Sequence, residues 1–207
     1  MRASLYFMAK TYHHGDLKTA AIKKTVEIIQ KKGEADFTLR EIAQSLKVSH
    51  TAVYRHFKSK QDLLSHIAEE GFHNLNQAFS TEIAKARSPR QKLSALGRAY
   101  IEFALSHSGH YRSMFHQELR CAKDQRPELE EVGLRSFSIL VECLQEGMKS
   151  QVFRKTDALI AARSVWSGIH GFSVLMIDGQ FQSLQSRTSV AEAIEQHLAF
   201  LERSLLK

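Results

Sequence analysis

The sequence predicts an all-α protein of about nine helices, an N-terminal three-helix helix-turn-helix head followed by a larger C-terminal helical bundle. Three observations lead there. Only two prolines and ten glycines interrupt 207 residues, which favours helices over a sheet. Apolar residues recur at helical spacing in most segments. Helix-start signals, a small polar residue followed three positions later by Glu, Gln or Asp, punctuate the chain. With 43% hydrophobic residues the chain can bury a substantial core, and it shows no repeat and no low-complexity stretch.

Residues 1–12 read as a flexible basic arm, and His13 and His14 are taken as part of it. A first helix begins after Asp16 and runs to Lys32, stopping at Gly33. Leu17, Ala21, Thr25 and Ile28 share one face of it with Ile22, Val26 and Ile29, the broad stripe of a core helix. Thr38 and Glu41 then form a T-x-x-E capping box, and Phe37 and Ile42 are spaced as a hydrophobic staple. Leu46, Lys47, Val48 and Ser49 make a tight turn into a second short helix, His50 to Phe57. Ser49 is its N-cap, with Val48 and Val53 as a second staple. Ser59, with Asp62 three residues on, starts a longer helix from Lys60 towards Arg87, carrying Leu63, Leu64, Ile67, Phe72, Leu75 and Phe79. It contains no breaker, so it joins a head of residues 1–65 to a body of residues 66–207.

The body continues with a restart at Ser88-Pro89-Arg90-Gln91, where Ser caps, Pro opens the helix and Gln completes a capping box. That helix carries Leu93, Leu96, Tyr100, Ile101, Phe103, Ala104 and Leu105 and breaks at Ser108-Gly109. A short segment spans His110 to Leu119, and Cys121 to Pro127 reads as a loop. A long helix runs from Glu128 to Ser150 on Leu129, Val132, Phe137, Leu140, Val141, Leu144 and Met148. Asp157 opens an apolar helix that ends near Asp178-Gly179. The last helix starts at Ser189 with Glu192 three on, and places Val190, Ile194, His197, Leu198, Leu201 and Leu205 on one side.

Charge is distributed unevenly. The net charge is +7, yet residues 1–62 hold 12 Lys/Arg against 6 Asp/Glu, while residues 63–207 hold 17 against 16. A solvated basic face would be the plain reading, but concentration on the helix-turn-helix segment points to a polyanionic partner. Cys121 and Cys143 belong to no metal or redox motif and read as reduced, packed side chains, as expected in a cytoplasmic protein. The apolar run in MRASLYFMAK is too short for a secretory signal. The stretch Ala158–Ile177 is the most apolar, but Arg163, Ser164, Ser167, His170 and Ser173 interrupt it. It reads as a helix buried on several sides rather than a membrane span.

The run LREIAQSLKVSHTAVYRHFKSKQDLL resembles the head of the tetracycline-repressor (TetR) type of bacterial transcriptional regulator. Val48-Ser49, Val53-Tyr54, His56-Phe57, Ser59-Lys60 and Leu63-Leu64 carry the likeness, and the pattern hydrophobic-Tyr-x-His-Phe-x-Ser/Asn-Lys-x-x-Leu is met in full. Trp166-Ser167-Gly168-Ile169-His170-Gly171 is similar to a W-H-G motif found in one subset of the family's C-terminal domains. Many relatives carry Gly where Lys47 stands, so Lys47 is expected to be strained if the turn needs a positive φ. The resemblance implies phosphate-contacting roles for Tyr54 and His56.

The helix-turn-helix geometry assigns the remaining roles. His50 and Thr51, in the first turn of the second helix, are placed to read base edges. Ser49 offers a hydroxyl to a phosphate, Lys60 a cation beside helix-terminal N–H groups, and Thr38 and Arg40 grip flanking phosphates. Arg55 faces either solvent or the groove. Ala52, Val53 and Phe57 pack the reading helix onto its scaffold. One head makes few base contacts, so a homodimer on a palindromic double-stranded DNA operator is expected. Its interface would be built from the last two helices, residues 157–178 and 189–206, with Ser164, Ser167, Gly168 and Gly171 allowing close approach.

The family resemblance also implies a pocket for a small effector in the body, among Phe103, His107, Tyr111, Met114, Phe115, Phe137, Trp166 and His170. The same residues equally suit an ordinary core. His107, His110 and His116 form no closed ligand set, so no metal or cofactor is expected. No nucleophile, base or phosphate loop suggests an enzyme. The function expected is a homodimeric repressor released by a small apolar effector, the alternative being an architectural DNA-binding protein without a small-molecule switch.

Overall fold

The computed structural model describes residues 14–120, 126–181 and 188–206. The basic arm, His13 and Cys121 lie outside the described residues. Nine α-helices and one 3-10 helix occur among those described, with one isolated antiparallel bridge between Phe153 and Leu206. The helices are α1 (His14–Lys32), α2 (Leu39–Ser45), α3 (His50–Tyr54), α4 (Lys60–Ile83), α5 (Pro89–Ser106), α6 (Ser108–Met114), α7 (Pro127–Lys149), α8 (Ala158–Ile177) and α9 (Val190–Arg203). A 3-10 turn, Gln117–Arg120, follows α6.

The start signals work largely as the sequence implies. Thr38 Oγ1 accepts from the Glu41 amide at 3.1 Å, and the Glu41 carboxylate accepts from the Thr38 amide at 2.7 Å, closing the box. Ser189 and Glu192 close a second box at the start of α9. At Ser88 the pattern differs: its hydroxyl caps Gln91, but the Gln91 side chain accepts from Arg87 N–H, one residue further back.

Some boundaries move. The first helix begins at His14, two residues before Asp16, so His14 starts α1 instead of ending the arm. The reading helix closes at Tyr54, with Arg55 as its C-cap. Gly109 is no breaker either, since it lies inside α6. A Cβ at Gly109 would stand 2.5 Å from the Val26 carbonyl oxygen, and one at Gly71 would stand 2.7 Å from Met114 Sδ. The two bare Cα positions let α6 wedge between α1 and α4, which fixes the head to the body.

The head's core is Ala21, Ile29, Phe37, Leu39, Ile42, Val53, Phe57, Leu63, Leu64 and Ile67, all buried. Its last members sit on α4, which continues unbroken into the body and packs there against α5, α6 and α7. In the body, α9 seats Leu198 against Gly97 of α5 and Leu201 against Gly168 of α8. Gly168 therefore serves contact within the protomer, whereas Gly171 has open space around it.

The apolar helix α8 is long and apolar enough to cross a membrane by length and composition, but it packs against α5, α7 and α9. Only 28% of its apolar window is buried, so it is covered along one face and not on several sides. Cys143 is buried and unpaired; its thiol lies 3.6 Å from the Pro89 carbonyl, and burial pushes it up to about 12.

Candidate nucleic-acid interface and buried cavity

The turn between α2 and α3 is a Schellman motif. Val48 N–H donates to Ala43 O at 3.0 Å and Lys47 N–H to Gln44 O at 3.1 Å. Lys47 occupies its left-handed position with φ 56°, the position that glycine favours. The turn stays closed with a lysine there because Phe37, Ile42 and Val53 are buried on either side of it.

The second helix presents a clear division. Val53 and Phe57 are fully buried and Ala52 is half-buried, while Thr38, Arg40, Ser49, His50, Thr51, Tyr54 and Arg55 are all exposed. Tyr54 is 49% exposed although it is a large aromatic residue. Its ring supports the His50 imidazole, centroids 5.5 Å apart, so the first-turn histidine is steadied by a side chain one turn later. Ser49 Oγ accepts from Ala52 N–H at 3.2 Å, which leaves its hydroxyl proton free to donate outward. The Thr38 hydroxyl is more committed: it caps Glu41 and also donates to the Glu41 carboxylate at 3.2 Å. Hydrogen bonds from Thr38 hold Glu41 below the usual carboxylate range. His56 is half-buried beside Phe57, centroids 6.4 Å apart.

Lys60 departs from a freely solvated phosphate contact. Its ammonium lies 3.1 Å from Glu118 Oε1 and 5.4 Å from the centre of the Phe37 ring. Glu118 belongs to the 3-10 turn after α6, so a head cation is held by the body.

The body contains a cavity of about 360 Å³ between α4, α5, α6, α7 and α8. Met114, Phe115, Phe137 and Trp166 line it, as the sequence reading proposed. Tyr111 and His170 instead line a second cavity of about 410 Å³, with Phe115 shared between the two. Phe103 and His107 line neither: Phe103 is buried core and His107 stacks on it, centroids 4.9 Å apart. They lie one helical turn apart, so the side chain that packs inward carries the other with it. Among the residues missed were Phe72, Leu75 and Phe79 of α4, Leu96, Gly97 and Tyr100 of α5, and Arg163 and Glu130 at charged positions. Nothing in the α4 stripe distinguishes core from cavity, because both need the same apolar periodicity.

A polar cluster joins residues of the two linings, Tyr100 and Trp166 from the first and Tyr111 and His170 from the second. Trp166 Nε1–H donates to Tyr100 Oη at 3.2 Å, and His170 Nδ1 lies 2.9 Å from Tyr100 Oη and 2.7 Å from Tyr111 Oη. Burial pushes Tyr100 up to about 12, raises Tyr111 and lowers His170, so the cluster stays neutral at pH 7. The W-H-G motif therefore supplies a neutral hydrogen-bonding link between the two linings. His107 stacks on Phe103 and meets the His110 ring edge-on, centroids 6.3 Å apart, while His110 lies 3.4 Å from Glu70 and His116 accepts from the Glu118 amide at 3.3 Å.

Residues 93–201 match the family model for the tetracyclin repressor-like C-terminal domain, and residues 21–67 match that for bacterial regulatory proteins of the tetR family. The chain belongs to the TetR family of bacterial transcriptional regulators. Among its TetR-type relatives is the HTH-type transcriptional repressor KstR2 of Mycolicibacterium smegmatis, 28% identical over 120 residues. That match covers 56% of this chain and 58% of the repressor's length. A solved protein of unknown function from Rhodococcus sp. RHA1 is 26% identical with a TM-score of 0.79, covering 96% of this chain and all of its own. AibR, solved in complex with isovaleryl coenzyme A and operator DNA, shares the fold at 16% identity and a TM-score of 0.70, covering 92% of this chain and 98% of its own. The TetR-type fold therefore spans head and body together.

Proposed function

We propose that this TetR-family regulator is a homodimeric repressor that binds a palindromic operator and is released by a small, mostly apolar effector. The observation that carries the reading is the exposed polar face of α3, with His50, Thr51, Tyr54 and Arg55 outward over the buried Val53 and Phe57. A purely structural helix has no reason to hold a tyrosine and a histidine against each other in water. In this reading His50 and Thr51 meet base edges, Ser49, Tyr54, His56, Arg40 and Lys60 meet phosphates, and Thr38 chiefly fixes α2. The head occupies residues 1–65 and the body residues 66–207, with the boundary inside α4.

The effector site is the 360 Å³ cavity. Its walls call for an apolar body, and the two charged residues in its lining, Arg163 and Glu130, leave room for a polar end. That AibR was solved with both an acyl thioester and operator DNA supports one chain of this fold serving both partners.

Dimerisation follows from uncovered apolar surface. Among the described residues, six of the eight exposed large hydrophobics lie on α8 and α9, and setting aside Trp166, which lines the cavity, five remain for a partner: Leu159, Ile160, Leu175, Val190 and Phe200. Phe200 at 66% and Ile160 at 60% exposure are the most open of these, and the open Gly171 permits a second α8 to approach. A second copy presenting the same faces would cover them, and would set two α3 helices on successive major grooves.

The test is selection of bound sequences from random duplexes, followed by screening apolar acids and thioesters for release of the selected DNA, with sedimentation to fix stoichiometry. A two-fold symmetric consensus bound by a dimer and released by a compound supports the whole reading. A dimer bound to DNA that no compound releases would favour the architectural alternative.

A further inference from the structure

Both described ends of the connection between α6 and α7 are fastened to the first turns of α4. At one end Glu118 Oε1 pairs with Lys60 Nζ at 3.1 Å, and the Glu118 carbonyl accepts from Gln61 Nε2 at 2.9 Å. At the other, Arg126 pairs with Glu69 at 2.6 Å and Asp62 at 3.6 Å. Gln61 and Arg126 give the connection its place; neither needs Glu118 to be charged. The carboxylate itself meets the cation that opens the helix beside the DNA-reading face. It lies at the N-terminal end of α4, where helix N–H groups also favour an anion.

We infer that Glu118 stands in for a DNA phosphate, holding Lys60 in the free protein in the role a phosphate takes when the head docks. The inference rests on the reading of Lys60 as a phosphate contact. Its chemistry is competition for one cation: charge that Lys60 directs at the Glu118 carboxylate is not available to a phosphate, so the body weakens DNA binding through a single pair. The pair is partly exposed, with the two side chains 31% and 39% accessible, so the exchange is cheap enough to occur on docking. Phe115, three residues before Glu118, lines both cavities, which gives the body a short covalent path to the same cation. Glu118 is thus a positioning residue for DNA binding that makes no contact with DNA itself.

The experiment is a two-by-two cycle of Lys60→Ala and Glu118→Gln in the full chain. Binding is measured by fluorescence anisotropy on a duplex selected by the wild-type protein, over a range of salt. Lys60→Ala is expected to weaken binding and to make the slope of log K against log salt shallower by about 0.9. Glu118→Gln is expected to tighten binding about two- to fivefold and to steepen that slope. In the Lys60→Ala background, Glu118→Gln is expected to change nothing. Equal tightening in both backgrounds would mark a general charge effect and overturn the competition while leaving the phosphate role of Lys60 intact. Unchanged affinity and slope in Lys60→Ala would overturn that phosphate role and the inference with it. Melting temperatures within a degree or two of the wild type would show that the surface substitutions act on binding and not on folding.

Discussion

The head and the body use opposite strategies. The head encloses a small apolar core with closed caps and turns, and displays the polar side chains of His50, Thr51, Tyr54 and Arg55 on an exposed helix face. The body keeps its chemistry inside. It surrounds a cavity with aromatic side chains, sets the Tyr100–His170–Tyr111 cluster between that cavity and its neighbour, and leaves large apolar side chains exposed on its outer helices α8 and α9. Groups on a surface can be exchanged without disturbing a core, whereas groups lining a cavity are themselves part of one. Substitutions in the head should therefore alter recognition at little expense in stability, and substitutions in the body should do the reverse.

The largest effect is expected where the two regions are joined. Gly109→Ala sets a Cβ against the Val26 backbone oxygen, which no side-chain rotation relieves. It is expected to destabilise the fold by about 1–3 kcal/mol in urea titration. An unchanged midpoint would mean that α1 and α6 separate readily, and the rigid contrast between head and body would fail.

Acid should act on the body next. Burial lowers His110, His170 and His197, so these rings stay neutral in the folded chain while the unfolded chain protonates them near pH 6.5. Below that value the unfolded state binds more protons, so stability is expected to be full above pH 7 and to fall as pH drops through about 6.5. Melting temperatures at pH 7.5 and 5.5 would check it. His170→Gln, which cannot take up the proton, should reduce the drop, and an equal drop in that variant would remove His170 from the account.

In the head, His50→Ala is expected to leave the melting temperature unchanged and to lose about 1 kcal/mol of discrimination at one base pair of the selected operator. Uniform weakening across all sequences would reassign His50 to phosphate binding. The smallest effect is at the turn. Lys47→Gly relieves a left-handed lysine and is expected to raise stability by about 0.5–1 kcal/mol, measured by urea titration, without altering sequence preference.

These two regions were also unequally legible. In the head, Thr38 with Glu41, Ser49 with Ala52, and the Phe37/Ile42 pair act over three to five residues, so sequence spacing specifies them directly. The strain at Lys47 followed from the same local geometry. In the body, four of the eight proposed lining residues reach the main cavity, two reach its neighbour, and Phe103 and His107 pack away from both. An apolar helical stripe states that a residue faces inward. Whether it meets another side chain or an empty volume depends on helices far away in the chain.

The sequence by itself determined the helices, their caps, the turn of the reading head, the family and the basic bias of the first third. All of these are local or additive properties of the residues. The tertiary structure decided the rest: that Gly109 and Gly71 admit α6 between α1 and α4, that Gly168 is used within the protomer, and that Lys60 is held by Glu118. Each depends on two segments meeting across 33 to 83 residues, Gly168 with Leu201 at the near end and Val26 with Gly109 at the far one. No periodicity encodes such a meeting, because only the packed helices bring those partners to the same place.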